Sequence, residues 1–358
     1  MKTLKYGLIG CGRIAGNHLQ AALDNHLEVA AICDIIPAAM DAVAQHHQLT
    51  AVHKYADYRE MLAKEDLDLV AITTKSSLHA ATALDCIAAG VNVIIEKPMT
   101  LSLADADQII AASQKQGVKV CSCHQNRYNK SIQKLRSVIE AGNFGRLMYA
   151  NAAIRWFRDA AYYQQADWRG TWAEDGGALM NQCIHNIDLL RWMMGDDIQE
   201  VFAYTDQLLH PYIEAEDFGV ALIKFDNGGY GLLEGTTNVY PEDFEETLAI
   251  FGTSGTARVA GTSLNLIQHW QVQGSPDTVE SLLAAYGEHP ENIYGFGHTP
   301  LYADMIDAIQ EDRAPYIDAQ AGRNAIELVL AVYLSAAEHR PVTLPIQNVA
   351  TTDFIGRF

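Results

Sequence analysis

The chain has 358 residues, of which 49% are hydrophobic and 19% are charged, and this ordinary globular composition excludes disorder as its main state. Its 25 lysines and arginines stand against 44 acidic residues, which gives a formal net charge of −19 at pH 7. So acidic a chain is a poor candidate for sequence-independent binding of nucleic acid or of an anionic membrane surface, since both require basic residues. No apolar run approaches the roughly 18–20 residues of a transmembrane helix, and no convincing cleavage site marks a signal peptide.

Residues 1–123 alternate short apolar runs with longer amphipathic stretches, a pattern typical of βαβ units that build a parallel sheet. The predicted strands are Leu4–Ile9, Glu28–Cys33, Leu69–Ile72, Val91–Ile95 and Val118–Cys121, with a weaker one at Val52–His53. The predicted helices are Ile14–Leu23, Ala38–His47, Tyr58–Lys64, His79–Ala89 and Leu103–Gln116.

After residue 124, successive strands without intervening helices indicate a mostly antiparallel sheet. The predicted strands are Leu147–Ile154, Val201–Thr205, Val220–Phe225, Gly231–Thr236, Thr247–Phe251, Arg258–Ala260 and Leu264–Ile267. The predicted helices are Ser131–Glu140, Ala178–Met194, Leu301–Gln310 and Ala319–Ala337. We therefore predict an α/β protein: a Rossmann domain with a doubly wound parallel sheet over residues 1–123, then an α+β domain with an open, mostly antiparallel sheet over residues 124–358.

A glycine-rich turn follows the first predicted strand and opens the first predicted helix. Residues 10–15 read G-x-G-x-x-A, in which Gly10 permits the tight turn and Gly12 lets a diphosphate approach the backbone. The helix N-terminus offers unpaired N–H groups to the phosphates. A glycine turn that binds nothing is the alternative, but its place between strand and helix favours a dinucleotide site.

Asp34 ends the second strand, about 20 residues further on, where a carboxylate accepts both ribose hydroxyls. Ile35 and Ile36 follow it, so no adjacent cation is present to neutralise a 2′-phosphate. The sequence therefore predicts NAD rather than NADP.

Lys97 stands in a Glu96-Lys97-Pro98 motif at the end of the strand Val91–Ile95. Ligands of doubly wound sheets bind outside the carboxyl ends of the strands, so Lys97 is a candidate to orient a substrate hydroxyl. By spacing alone, an ordinary surface lysine is the more frequent case.

The predicted helix Ala178–Met194 places Asn181, His185 and Asp188 on one polar stripe, apart from its apolar face. Oxidation of a hydroxyl requires a base, and His is the side chain best matched to proton transfer near neutral pH. The alternative is a histidine on a solvated helix face.

Three arginines, Arg155, Arg158 and Arg169, fall within 15 residues of this acidic chain. They accompany four large rings: Trp156, Phe157, Trp168 and Trp172. Arginine binds carboxylates and phosphates bidentately and stacks on flat rings. The segment suits an anionic substrate or the cofactor diphosphate; the alternative is an interface loop whose arginines pair with surplus carboxylates.

The six cysteines are scattered and suggest buried, reduced thiols in a cytoplasmic protein. Cys121, Cys123 and His124 invite a metal interpretation, but no second ligand pair is spaced to complete a site. We therefore expect no metal.

The Gly10-Cys11-Gly12 turn, the Glu96-Lys97-Pro98 motif and the Gly-Gly…His helix resemble the glucose–fructose oxidoreductase / inositol dehydrogenase / rhizopine-catabolism family over nearly the whole chain. The resemblance implies an NAD(P)-dependent oxidoreductase acting on sugars or polyols, with Lys97 as the active-site lysine and His185 as the acid/base. It also implies a homodimer or homotetramer formed through the C-terminal sheet. Much of the family has Asp where this chain has Asn181, which puts a Lys–Asp–His relay in doubt.

The stretch from Tyr162 to Gln182, with its Asn-Gln pair, resembles a narrower branch that includes UDP-N-acetylglucosaminuronate 3-dehydrogenases. We therefore expect oxidation of a secondary hydroxyl of a sugar or nucleotide sugar. An inositol, glucoside or anhydro-sugar oxidoreductase is the alternative enzyme, and a non-catalytic dinucleotide-binding regulator is the alternative of another class.

The site residues expected from the motifs and the resemblance fall into two sets. The cofactor set is Gly10, Gly12, Arg13, Ile14, Asp34, Thr73, His79, Glu96, Lys97, Trp168 and Arg169. The substrate set is Lys97, Arg155, Tyr163, Arg169, Asn181 and His185.

Overall fold

A computed structural model of the protein, which describes residues 3–290 and 293–358, divides the chain into two compact units. The first unit comprises the chain up to Thr100, Ala104–His124 and His298–Arg323, and the second comprises Leu101–Leu103, Gln125–Gly297 and Asn324–Phe358. The chain passes from the first unit to the second one residue beyond the predicted boundary. Residues 298–323, assigned from the sequence to the second domain, belong instead to the first unit.

The first unit contains a six-stranded parallel sheet in the order β3-β2-β1-β4-β5-β6. Its elements in chain order are β1 (Lys5–Ile9), α1 (Ala15–Asp24), β2 (Glu28–Cys33), α2 (Pro37–His46), β3 (His53–Tyr55), α3 (Tyr58–Lys64), β4 (Leu69–Ile72), α4 (His79–Ala88), β5 (Asn92–Ile95), α5 (Leu103–Gln116) and β6 (Val120–Ser122). This is the predicted doubly wound sheet, with a Rossmann strand order that reverses beside β1.

The second unit is built on an eight-stranded sheet. Its elements begin with α6 (Lys130–Glu140), β7 (Leu147–Arg155), α7 (Ala160–Tyr163), α8 (Gly177–Asn181), α9 (Ile184–Met194), β8 (Ile198–Asp206), β9 (Phe218–Phe225) and β10 (Tyr230–Thr236). They continue with β11 (Glu245–Gly252), β12 (Gly255–Ala260), β13 (Leu266–Val272) and α10 (Val279–Tyr286). After α11 (His298–Gln310), which belongs to the first unit, come α12 (Ala319–Glu338), which enters the second unit at Asn324, and β14 (Val342–Thr343).

The strand order is β13-β12-β11-β7-β10-β9-β8-β14, and only the β7–β10 pair is parallel. A mostly antiparallel sheet was predicted, and this is confirmed. Within the described residues, no helix is both long and apolar enough to span a membrane.

The two faces of the second sheet differ. A row that runs through Gly235 and Ile154 faces α8 and α9, because a Cβ on Gly235 would lie 2.5 Å from Leu179 and 2.9 Å from the sulfur of Cys183. Arg155 on β7 and Glu234 on β10 are each one residue away from this row, and their side chains therefore lie on the opposite face. That outer face carries the exposed apolar side chains of Tyr149, Tyr204, Leu222, Tyr230 and Leu232.

The single predicted helix Ala178–Met194 is wrong, since the structure has two helices, α8 and α9. The N–H of Cys183 bonds to the carbonyl of Ala178, five residues back, so the helical register changes before α9 begins. The polar stripe was expected to lie apart from the buried face, and this is also wrong, because His185, Asp188 and every other residue of α9 are buried. The alternative, a histidine on a solvated helix face, is wrong for the same reason.

Candidate active site

The glycine turn after β1 has the geometry that a diphosphate requires. Gly10 has φ +100°, and a Cβ there would lie 2.7 Å from the Thr73 main chain, so only glycine fits. A Cβ on Gly12, in contrast, would meet nothing within 4 Å. The open space over Gly12 and an α1 N-terminus without a side-chain cap, next to exposed Arg13 and half-buried Ile14, fit the diphosphate of NAD.

Asp34 lies at the end of β2, beside this turn. Its Oδ2 accepts the N–H of Cys11 at 2.7 Å and its Oδ1 accepts the N–H of Ile36 at 2.8 Å. Each carboxylate oxygen keeps a second lone pair, and the half-exposed side chain remains able to accept ribose hydroxyls. The two residues that follow the carboxylate in the chain, Ile35 and Ile36, are apolar and are 84% and 56% exposed.

Three other residues of the expected cofactor set direct their side chains into the protein. The Thr73 hydroxyl donates to the carbonyl of Gly10 at 2.6 Å, and Nδ1 of His79 lies 2.8 Å from the carbonyl oxygen of Pro98. The Glu96 carboxylate contacts Nε2 of His18 at 2.9 Å and accepts the N–H of Lys97 at 3.0 Å. These side chains therefore brace the segments on which a cofactor would lie.

Glu96 also belongs to a buried group that the sequence spacing did not indicate. The possible ligand atoms of His18, Glu96, Cys123 and His298 all lie within 4.8 Å of one another. Cys123 was weighed as a ligand only with Cys121 and His124, and its neighbours in the structure come from distant parts of the chain. The four residues are potential metal ligands by type, and the contact between His18 and Glu96 has hydrogen-bond length.

In the second unit, His185 lies in the first turn of α9 and is 8% exposed. Its Nε2 is 3.5 Å from Nε2 of Gln125, a residue that sequence reasoning missed. Asp188, predicted to share its stripe, instead accepts two hydrogen bonds from Arg127, at 2.7 and 2.6 Å. The pair is buried and fixes α9 from one side.

Asn181 ends α8 and is joined to a carboxylate. Its side-chain amide donates to Oδ1 of Asp175, whose Oδ2 accepts the N–H of Gly170 at 2.7 Å. Gln182 contacts Asn181 and donates to the hydroxyl of Tyr162 at 2.9 Å. A carboxylate thus lies one hydrogen bond away from the position at which much of the resembling family carries Asp.

The three arginines have three different environments. Arg155 lies on the outer face of the sheet, bonded to Glu234 and Glu245. The structure therefore does not bring Arg155 together with Asn181 and His185. Arg158 pairs with Asp243 at 2.9 Å and donates to Gln182.

Arg169 is held by rings instead of carboxylates. Its guanidinium carbon lies 4.4 Å from the ring centre of Tyr162 and 4.6 Å from that of Trp168. In the described part of the chain no ion pair involves Arg169, and its buried Nε has no hydrogen-bond partner. Of the three arginines, Arg169 is the one whose charge remains available to a ligand.

A tight cleft lies beside this arginine. Its walls include Tyr162, Tyr163, Asp175, Asn181, Gln182 and Glu216. Tyr163 is buried, with its hydroxyl 3.1 Å from that of Thr237, and burial raises its pKa. Of the missed wall residues, Asp175 and Gln182 had a sequence signal in their place around the Asp175-Gly176-Gly177 turn, and Glu216, 39 positions further on, had none.

Glu216 is a buried acid in the wall of this cleft. Burial raises its pKa to about 8, although bonds from Tyr333 and from the N–H of Leu179 lower it. The Tyr333 hydroxyl also contacts the carbonyl of Gly176 at 2.7 Å, and one hydroxyl carries one proton. A protonated Glu216 is able to donate to Tyr333 while Tyr333 donates to Gly176, so one proton serves each contact.

Comparisons with known proteins identify the family of this chain. A family model described as "oxidoreductase family, NAD-binding Rossmann fold" matches residues 4–124, and the GFO/IDH/MocA C-terminal domain model matches residues 132–258. Among curated proteins, the myo-inositol 2-dehydrogenase of Thermotoga maritima is 24% identical over 349 residues, which cover 95% of this chain and 98% of that protein.

Two solved structures are similar over almost their full length. The WlbA dehydrogenase of Bordetella pertussis, in complex with NADH and UDP-GlcNAcA, is 34% identical with a TM-score of 0.90, over 97% of this chain and 99% of that one. The WlbA dehydrogenase of Chromobacterium violaceum, with the same two ligands, is 35% identical with a TM-score of 0.88, over 97% of each chain.

Proposed function

Because this chain belongs to the GFO/IDH/MocA family of NAD-dependent oxidoreductases, we propose that it oxidises a secondary hydroxyl of a nucleotide sugar, UDP-N-acetylglucosaminuronate at C3. The family shown by the comparisons acts on sugars or nucleotide sugars, and the narrower substrate is our inference. Its main support is Arg169, a cation held against Tyr162 and Trp168 with no carboxylate partner in the described residues. The two WlbA neighbours, each crystallised with UDP-GlcNAcA, support the same substrate class.

Anion binding at Arg169 is favoured by its surroundings. A protein of net charge −19 repels anions at long range, so an anionic substrate requires a local cation. Arg155 and Arg158 are already neutralised by carboxylates, and we therefore leave Arg155 out of the proposed substrate set. The rings of Tyr162 and Trp168 limit the motion of the guanidinium and keep it partly desolvated, which strengthens its interaction with a carboxylate or phosphate.

In the proposed mechanism, two residues act on the substrate hydroxyl, one on its proton and one on its oxygen. When bound, NAD supplies the hydride acceptor. His185 takes the proton of the substrate hydroxyl, and the Lys97 ammonium binds its oxygen. Asn181 cannot titrate, so it serves to bind the sugar, with its amide oriented by Asp175.

We also propose a homo-oligomer formed through the outer face of the second sheet. The rings of Tyr149 and Phe251 stack there with their centroids 4.2 Å apart, and the exposed side chains of Leu222 and Leu232 lie on the same face. Light scattering, which measures the molar mass of the assembly, tests this proposal. The wild type is expected to have at least the mass of a dimer, and Leu222→Glu is expected to form a smaller assembly or a monomer. All six cysteines are buried thiols, in keeping with a cytoplasmic location.

The direct test of the substrate is the ligand that co-purifies with the protein. Mass spectrometry of small molecules released from freshly purified protein is expected to find a UDP-linked uronic acid or its oxidised product together with NAD(H). A neutral polyol in its place would favour the alternative, an inositol or glucoside oxidoreductase.

A further inference from the structure

A series of hydrogen bonds in the first unit ends at the main chain of Lys97. The hydroxyls of Tyr6 and Tyr302 are 2.9 Å apart, and the Tyr302 hydroxyl lies 2.7 Å from Nδ1 of His18. Nε2 of His18 lies 2.9 Å from Oε1 of Glu96, and Oε2 of Glu96 accepts the N–H of Lys97 at 3.0 Å. Tyr6, Tyr302, His18 and Glu96 are all buried.

The chemistry of the groups fixes the direction of every proton in the series. Oε2 of Glu96 accepts the N–H of Lys97, and Oε1 lies 2.9 Å from Nε2 of His18 and 3.6 Å from Nε2 of His298, so possible donors surround the carboxylate. An ionised carboxylate only accepts, so Nε2 of His18 carries the ring proton and Nδ1 accepts from Tyr302. Tyr302 in turn accepts from Tyr6, and every donor is used.

The main chain around Lys97 is held on both sides. The Glu96 carboxylate accepts a hydrogen bond from the N–H of Lys97. On the other side of Lys97, Nδ1 of His79 lies at hydrogen-bond distance from the carbonyl oxygen of Pro98. Both contacts come from buried side chains of the first unit, which limits the positions open to the Lys97 main chain.

We propose that Glu96 is a positioning residue, whose carboxylate, oriented by His18 and the Tyr302–Tyr6 pair, fixes the main chain of Lys97 so that its ammonium is presented in one place. This inference rests on the proposed role of Lys97 in binding the substrate oxygen. Groups that face the carboxylate from other elements are Cys123 after β6, His298 in α11 and His79 in α4. The competing use of the same cluster is a divalent metal bound by His18, Glu96, Cys123 and His298.

Two substitutions at Glu96 separate positioning from a general packing role. In Glu96→Gln the hydrogen bonds of the series are able to reverse their direction. The amide oxygen accepts from the N–H of Lys97, the amide nitrogen donates to Nε2 of His18, and Nδ1 of His18 donates to the hydroxyl of Tyr302. Lys97 then stays in place, and kcat is expected within about threefold of the wild type. Glu96→Ala removes both bonds, and kcat is expected to fall by about 10–100-fold with the KM for NAD little changed.

Two NMR readouts need no substrate and therefore separate this proposal from the proposed function. Histidine ¹⁵N shifts are expected to place the His18 proton on Nε2 in the wild type and on Nδ1 in Glu96→Gln. The methyl resonance of ¹³C-methylated Lys97, assigned by its loss in Lys97→Arg, is expected to shift or broaden in Glu96→Ala and not in Glu96→Gln. Tyr302→Phe is expected to disturb it, whereas Tyr58→Phe, which removes a hydroxyl bonded to Asp85 at 2.7 Å in the same unit, is a matched control expected to leave it unchanged.

The outcomes are distinct. Equal losses in Glu96→Gln and Glu96→Ala, or a His18 proton on Nδ1 in the wild type, would overturn the positioning role. Stoichiometric zinc or another divalent metal retained through dialysis against a chelator would also overturn it, in favour of a metal site. A wild type that oxidises no sugar but gives the expected Lys97 and His18 spectra would contradict the proposed function and leave the positioning role standing.

Discussion

The guanidinium of Arg169 lies 4.4 Å above the ring of Tyr162, with the ring of Trp168 at 4.6 Å. Arg155, only 14 positions earlier in the sequence, forms ion pairs with two glutamates on the outer sheet face. The same residue type thus has two environments, one with a charge available to a ligand and one without. This difference makes the proposed anionic substrate testable with a matched pair of variants.

Replacing Arg169 with alanine removes that cation. We expect kcat/KM for UDP-N-acetylglucosaminuronate to fall by about 10–100-fold, since a charge-assisted hydrogen bond contributes roughly 1.5–3 kcal/mol. Arg155→Ala is the control and is expected to leave kcat/KM nearly unchanged. Steady-state kinetics of both variants decide the matter, and equal losses in the two would remove Arg169 from the substrate site.

The cofactor preference depends on Asp34. A 2′-phosphate would be repelled by this carboxylate, so NAD(H) is expected to bind at least about tenfold more tightly than NADP(H), a difference of ~1.4 kcal/mol. Asp34→Ala also loses the bonds to Cys11 and Ile36, so both affinities are expected to fall while their ratio moves towards one. Calorimetric titration measures the ratio, with exposed Asp41→Ala as the control; NADP(H) binding as tight as NAD(H) in the wild type would contradict this role.

Turnover depends on His185 and Lys97 in the proposed mechanism. Loss of a general acid/base typically lowers the rate by about 10²–10⁴-fold, and we expect His185→Ala and Lys97→Met each to lower kcat by this order. NADH affinity, followed by fluorescence, is expected to stay near the wild-type value in His185→Ala. In Lys97→Met it is expected to change less than kcat does, because Lys97 belongs to the expected cofactor set but not to the glycine turn. Exposed His46→Ala serves as the control, and near wild-type turnover in either variant would refute that residue's assignment.

Glu216 makes the stability of the protein depend on pH. Its pKa is raised from the ordinary 4.5 to about 8, so between these values the folded state binds more protons than the unfolded state and stability falls as pH rises. Glu216→Gln keeps the bonds of the protonated form and cannot ionise. The free energy of unfolding of Glu216→Gln is therefore expected to exceed that of the wild type by an amount that grows from about pH 5 to pH 8. At pH 8 the difference is expected to be more than about 1 kcal/mol, which corresponds to a Tm difference of roughly 2–4 °C. Thermal melts across this range test it, and parallel stability curves would contradict it.

The first sheet could be predicted from the sequence because its signals are local. Apolar runs mark its buried strands, and helices α3 and α5 have the predicted bounds. The assignment of α11 to the first unit could not be predicted, because its Tyr302 meets Tyr6 across 296 positions of sequence. The break between α8 and α9 also lacks a local marker, since neither glycine nor proline stands at Gln182 and Cys183.

The sequence predicted which residues belong to the candidate site better than it predicted which residues their side chains contact. The glycine turn and Asp34 carry their geometry in a short motif. The environments of Arg155 and Arg169 depend instead on strand register and on ring packing: Arg155 faces Glu245 because β7 and β11 pair at that residue. Thr73, His79 and Glu96 were expected to touch the cofactor, and the bonds of their side chains to Gly10, Pro98 and His18 arise only when the sheet assembles.

The measurement that tests the central claim most directly is the formation of NADH with UDP-N-acetylglucosaminuronate, free glucose and myo-inositol as separate substrates. The account predicts that the UDP-linked uronic acid has a kcat/KM at least about 100-fold above either neutral compound, because only it has charges for Arg169 to bind. Robust turnover of myo-inositol or glucose, with none of the UDP-sugar, would contradict the nucleotide-sugar assignment and leave a dehydrogenase of neutral polyols.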